Sequence, residues 1–212
     1  MKKITFISTI HKEFGKCNAE ELQRILNKIS PEVIFLEALE STYSKYERMT
    51  FSSFGVLHQK LEIQAIQKFS FQRSFEYLPV LDVGLSEEFE KKYNQVCQNP
   101  ELQRHLDNFN SMASKFGFTF LNSKEAIELQ DELRKFEENL FNNPEKQKIV
   151  DGHIDDYENN MIKNIYAFCV ENHFDKAVFM CGVAHRNSII QKIRKDKRMM
   201  ELGIEWSFPN SF

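Results

Sequence analysis

Four consecutive apolar residues, Val33-Ile34-Phe35-Leu36, stand between Pro31-Glu32 and Glu37. A strand that is apolar at every position has no solvent face, so both of its sides must be covered. That points to a central parallel strand with helices packed above and below. The neighbouring chain supplies matching pieces. Residues 3–8 read as another strand. Asn18 followed by Glu20 and Glu21 reads as a helix start, a capping side chain with acidic first-turn residues. Leu22, Ile25, Leu26 and Ile29 then form an apolar face at helical spacing, stopped by Ser30-Pro31. Residues 57–75 read as an amphipathic helix with Leu61, Ala65, Ile66 and Phe69 inward. Residues 77–83 read as a third strand, which Pro79 confines to a strand start or a sheet edge. The β-α-β-α-β order predicts an α/β fold with a central, mostly parallel sheet flanked by helices.

Between residues 86 and 151 the chain turns polar and loses strand signals. This stretch reads as a helical insertion or cap over the sheet, with a helix at 125–140 and a break at Phe141-Asn142-Asn143-Pro144. A helix from about 155 to 173 should follow, then a strand at 176–181, a helix from 186 to about 200 and a short strand at 204–208. A chain of 212 residues suits one domain, 1–212, containing that insertion. Its 42% hydrophobic content, with 20 Phe, is ample for a packed core.

A net charge of -3, with Lys and Arg scattered among Asp and Glu, argues against nucleic acid as a partner. The apolar run at the N-terminus ends at His11-Lys12-Glu13, too soon for a signal peptide. No stretch approaches the roughly 20 apolar residues of a membrane span. Cys17, Cys97, Cys169 and Cys181 show no CxxC spacing and read as reduced thiols of a cytoplasmic protein. No HExxH spacing occurs, and GxSxG, GxxxxGK[ST] and GxGxxG patterns are absent, which removes serine-hydrolase, P-loop and Rossmann readings. No motif specifies an oligomeric state.

The chemistry-bearing pattern lies at strand ends. Ser8-Thr9-Ile10-His11 follows the apolar run Ile4-Thr5-Phe6-Ile7, and Gly182-Val183-Ala184-His185 follows Ala177 to Cys181. Each puts an imidazole at the carboxyl edge of a sheet, where open α/β folds bind ligands. A lone histidine there would usually hydrogen-bond backbone; the repeated context favours a shared site. His58, His105, His153 and His173 lack that context. Glu37 closes an apolar strand, where a carboxylate is costly unless paired, bound to a cation or already in solvent. His11, Glu37 and His185 are then candidate ligands for one divalent ion, a common donor set for zinc, manganese or cobalt. Glu62, which alone would be read as a solvated helix residue, and Asp82, at the end of the third strand, are candidate catalytic carboxylates. Glu40 is a weaker candidate. Asp155, Asp156 and Glu158 read mainly as first-turn charges of the helix near 155.

Taken together, Ser8-Thr9-Ile10-His11, Pro31-Glu32-Val33-Ile34-Phe35-Leu36-Glu37 and Gly182-Val183-Ala184-His185 resemble the TraB/TIKI group, which shares a clan with erythromycin-esterase-like and ChaN-like proteins. That group has a Gly-x-x-His motif near each end and a strand ending in Glu. The helix with Glu62 and the segment Leu78-Pro79-Val80-Leu81-Asp82 are similar to its glutamate-bearing helix and its strand ending in Asp. Two departures stand out: Ser8 replaces the first glycine, and Asp156-Tyr157-Glu158 lacks the arginine of Glu-Arg-Asp. The resemblance implies an α/β fold with the motif residues at one end of the sheet. It also implies metal-dependent proteolysis, lactone hydrolysis or haem binding, according to the branch.

The leading expectation is a metal-dependent hydrolase acting on a peptide-like or ester bond of a peptide or small molecule. The alternatives are a ligand- or haem-binding protein of the same fold, whose many Phe residues (Phe51, Phe54, Phe69, Phe71 and Phe75 among them) would line a cavity, and a metal-independent esterase.

Overall fold

The loop after the first strand is pinned before the first helix begins. Asn18 accepts a hydrogen bond from the Glu21 amide, capping α1 (Ala19–Ile29) as its sequence predicts, and Ser30 ends that helix at φ 55°. The computed structural model describes residues 1–39, 41, 60–84, 96, 98–141 and 144–212. Within them the strands are β1 (Lys2–Thr9), β2 (Val33–Leu39), β3 (Glu76–Leu81), β4 (Lys176–Gly182) and β5 (Ile204–Ser207). They form one five-stranded sheet in the order β3-β2-β4-β1-β5. Every pairing is parallel. β3 lies at an edge, which is where its Pro79 costs no ladder bond.

The remaining helices are α2 (Leu61–Ser70), α3 (Pro100–Leu121), α4 (Lys124–Phe141), α5 (Pro144–Glu171), α6 (Arg186–Lys195) and the short α7 (Arg198–Glu201). Side-chain alternation splits β2 between two cores. Ile34, Leu36 and Ala38 join Leu22, Leu26, Leu61, Ile66, Phe109 and Leu121 on one face. Val33 and Phe35 join Met161, Ile165, Cys169, Ile189 and Ile193 on the other. Burial of each such side chain contributes about 1.5–3 kcal/mol. The four-residue apolar run is therefore what a strand between two helical layers requires.

The main difference from the sequence reading lies before the candidate site. The helix expected to begin near residue 155 starts at Pro144. Residue 151 thus falls inside α5, and α3 and α4 belong to the same buried core as α1 and α2. Asp155, Asp156 and Glu158 consequently lie mid-helix rather than in a first turn. Residues 57–59, with His58, as well as Glu40, Phe51, Phe54, Cys97 and residues 85–95, lie outside the described residues. Cys17, Cys169 and Cys181 are buried and unpaired.

The loop leaving β1 packs against an interruption in α3. Gly117 there has φ 62°, and a Cβ on it would stand 2.9 Å from the Lys16 carbonyl oxygen. Only glycine combines that left-handed backbone with so close an approach. The Lys16 amide donates to Ser114 O at 2.8 Å, so α3 fixes the segment that follows His11.

Candidate active site

Because β4 lies between β1 and β2 and all three run parallel, their carboxyl ends share one rim. His11 follows β1, Glu37 stands near the end of β2 and His185 follows β4 in the turn Val183–His185. Glu37 falls where the β2–β3 register shifts, between Leu36 and Leu39.

His11 is oriented by α2. Its Nδ1 lies 3.2 Å from Glu62 Oε1, and the Thr9 hydroxyl donates to the same oxygen at 2.7 Å. Glu62 is buried at 2% exposure, so it is not the solvated helix residue its sequence position suggests. Its Oε2 is buried and has no hydrogen-bond partner among the described residues. The Glu62 hydrogen bond raises the His11 pKa above 6.5, against an opposing effect of burial. The His11 side chain remains about half exposed.

Glu37 is gripped on both oxygens. Oε2 accepts from the Gly182 amide at 2.6 Å and from the Cys181 thiol at 3.1 Å. Oε1 accepts from the Tyr157 hydroxyl at 2.8 Å. Gly182 permits this approach, since a Cβ there would lie 3.3 Å from Glu37 Oε2. Burial pushes the Glu37 pKa up, but His185, the Gly182 amide, Cys181 and His11 together hold it below the usual carboxylate range.

His185 stands between two carboxylates. Nδ1 lies 2.9 Å from Glu158 Oε1 and Nε2 lies 3.7 Å from Glu37 Oε1. Glu158 is fully buried and takes the Ser188 hydroxyl and the Lys192 ammonium on its other oxygen. Burial pushes its pKa up, and His185, Ser188 and Lys192 more than offset that. An ionised carboxylate only accepts, so His185 Nδ1 carries the proton. The Tyr157 ring packs against the His185 ring, with centroids 5.4 Å apart.

Of the residues singled out in the sequence, the structure ties His11 to Glu62 and His185 to Glu37. Asp82 stands apart: it is exposed, and its described partners are Asn160 and Asn164 of α5. Tyr157 and Glu158 are the site residues that sequence reasoning missed. The signal was present, because Glu158 lies three and four residues before Met161 and Ile162 on the buried stripe of α5. Ser8, in the place of the expected glycine, accepts from Arg186 at 3.1 Å.

Matched against protein-family models, curated proteins and solved structures, the chain finds no counterpart in any of the three. The TraB/TIKI resemblance thus rests on its short motifs alone.

Among the described residues, no three His, Cys, Asp or Glu side chains form a closed cage for a metal ion. The donors nevertheless suit one. Both histidines spend Nδ1 on a buried carboxylate, which leaves Nε2 as the available nitrogen, the usual arrangement behind metal-bound imidazoles. The 3.7 Å between His185 Nε2 and Glu37 Oε1 is too long to share a proton. Two ligands about 2.1 Å from one ion stand about 3.4–3.6 Å apart at tetrahedral to trigonal angles. The ion pairs described for the buried carboxylates Glu37, Glu62 and Glu158 are to two imidazoles and Lys192, so a cation suits the local charge.

Proposed function

We propose that the chain is a metal-dependent hydrolase of a peptide-like or ester bond, of the kind its TraB/TIKI resemblance implies, acting in the cytoplasm on a peptide or small molecule. His11, Glu37 and His185 would hold a divalent manganese, cobalt or zinc ion. The observation that carries this reading is the pair of carboxylate-anchored histidines, with the second nitrogen of His185 set 3.7 Å from Glu37. When bound, the ion supplies Lewis acidity toward a carbonyl and makes water a better nucleophile at neutral pH.

The residues themselves divide the remaining work. Glu62 and Glu158 keep Nδ1 of each imidazole protonated and each ring fixed. Among the carboxylate oxygens described at this rim, Glu62 Oε2 alone carries no described donor, and Glu62 would be the base that takes up a proton. Tyr157, Cys181 and Gly182 hold Glu37 in place.

A metal-independent esterase is the second reading, favoured by the absence of a closed three-donor cage among the described residues. There His11, half exposed and oriented by Glu62, would be the general base through Nε2. Elemental analysis of purified protein beside the His11→Ala/His185→Ala double variant separates the two. Near-stoichiometric metal in the parent, lost in a folded variant, supports the metal site. No metal after incubation with manganese, cobalt and zinc moves the assignment to the metal-independent esterase, and a Soret band in the purified protein moves it to haem binding.

A further inference from the structure

Both ends of the gap between His185 and Glu37 are held from one helix. Tyr157 and Glu158 are consecutive on α5. The Tyr157 hydroxyl donates to Glu37 Oε1 at 2.8 Å, and Glu158 Oε1 lies 2.9 Å from His185 Nδ1. The strand-borne donors, the Gly182 amide and the Cys181 thiol, reach only the other oxygen of Glu37. The oxygen that faces His185 Nε2 across 3.7 Å therefore has a single described donor, and that donor is on α5. The Tyr157 ring lies against the imidazole with an interplanar angle of 32°, so one side chain touches both walls of the gap.

We infer that Tyr157 is a positioning residue which, with Glu158, sets the separation between Glu37 Oε1 and His185 Nε2, so that the width of the site is governed from α5 rather than from the strand ends. Only its consequence for ion affinity rests on the metal-site reading above. A carboxylate torsion is soft. Without the hydroxyl, Oε1 loses its described donor and Glu37 is free to turn about that torsion, so its 3.7 Å separation from His185 Nε2 is no longer fixed. The neutral phenol stands at the position where the TraB/TIKI resemblance leads one to expect arginine, and it holds Glu37 without bringing a charge.

The test uses Tyr157→Phe, which keeps the ring and removes the hydroxyl, with two readouts on the full chain. The first is the Gly182 amide proton in metal-free protein, followed by NMR shift and hydrogen exchange, because that amide reports where Glu37 sits. The second is cobalt and zinc affinity by equilibrium dialysis. Gly182 exchange should accelerate about tenfold or more. The dissociation constant for the ion should rise about ten- to a hundredfold, as for other groups that orient a ligand. In a Glu37→Gln background the same substitution should add little to either readout. An unchanged Gly182 amide and an unchanged ion affinity in Tyr157→Phe would overturn the inference. So would an equal response in the Glu37→Gln background, since the effect would then not pass through Glu37. If the parent binds neither ion while the Gly182 amide still responds, the metal reading fails and the positioning role stands.

Discussion

Glu158 Oε1 lies 2.9 Å from Nδ1 of His185, and the carboxylate that makes this contact is wholly buried in the interior of a 28-residue helix. A charge so placed persists only when its partners replace the water it has lost. Here they are an imidazole, the Ser188 hydroxyl and the Lys192 ammonium, the last 3.0 Å from Oε2. Lys192 also pairs with Asp155 at 2.7 Å, so α5 and α6 are tied together beside the candidate site.

Replacing Glu158 with Gln keeps the size of the side chain and removes its charge. Stability should fall by about 1–3 kcal/mol, the typical cost of losing buried bonds to a charged group. Urea denaturation of parent and variant measures it. An unchanged midpoint would show that the buried carboxylate does not support the fold.

Acid should unfold the protein through the same groups. Glu37 and Glu158 both have folded pKa values held below the ordinary carboxylate value, despite burial pushing them up. Their contribution to stability is present above the unfolded value near 4.3 and is lost as pH falls through the lower folded values. Urea midpoints should therefore drop steeply below about pH 4.3 in the parent. The slope should be shallower in Glu37→Gln and Glu158→Gln, and equal slopes in all three proteins would contradict the assignment.

His11 behaves with the opposite sign. Its folded pKa is raised above 6.5, chiefly by the hydrogen bond to Glu62, with burial opposing. The stability it contributes is complete below about pH 6.5 and is lost as pH rises through the folded value. In an NMR titration the His11 ring of the parent should titrate above 6.5, and Glu62→Gln should bring it down. A His11 midpoint that ignores Glu62→Gln would mean the two side chains are not coupled.

The relation of sequence to site is uneven in an instructive way. Val33-Ile34-Phe35-Leu36 was legible because an unbroken apolar run has one physical explanation, burial on both faces, and β2 has both. The strand-end positions of His11, Glu37 and His185 were legible for the same local reason. The placement of β4 between β1 and β2 was not, since the register that sets Ile4 against Ala177 joins residues far apart in the chain. Glu62 looked solvated because helix periodicity says which face a residue occupies but not what tertiary neighbour covers it. Glu158 reads as a first-turn charge when its helix is started near 155, whereas α5 begins at Pro144 and puts it mid-helix. Asp82 fitted the strand-end pattern but ends an edge strand, where Asn160 and Asn164 take its carboxylate.

Arg186 offers the sharpest test of how the candidate site is held from beneath. It directly follows His185 and is buried at 1% exposure, yet its described acceptors are all neutral: Ser8 Oγ at 3.1 Å, Asn122 Oδ1 at 2.9 Å and Pro209 O at 2.8 Å. Its guanidinium also lies over the Phe6 ring, 5.4 Å from the centroid. Burial lowers its pKa to about 10, which leaves it cationic at neutral pH. One side chain thus joins the end of β1, the end of α3 and the segment after β5 to the residue beside His185. Arg186→Met should lose about 2–4 kcal/mol, because it leaves the Ser8 and Pro209 acceptors without this donor in a buried setting. Arg186→Lys, which keeps a charge but lacks the planar fork, should fall between parent and Met. Denaturant midpoints of the three proteins decide the matter: a Met variant as stable as the parent would show that neutral acceptors and an aromatic face do not repay the burial of this cation.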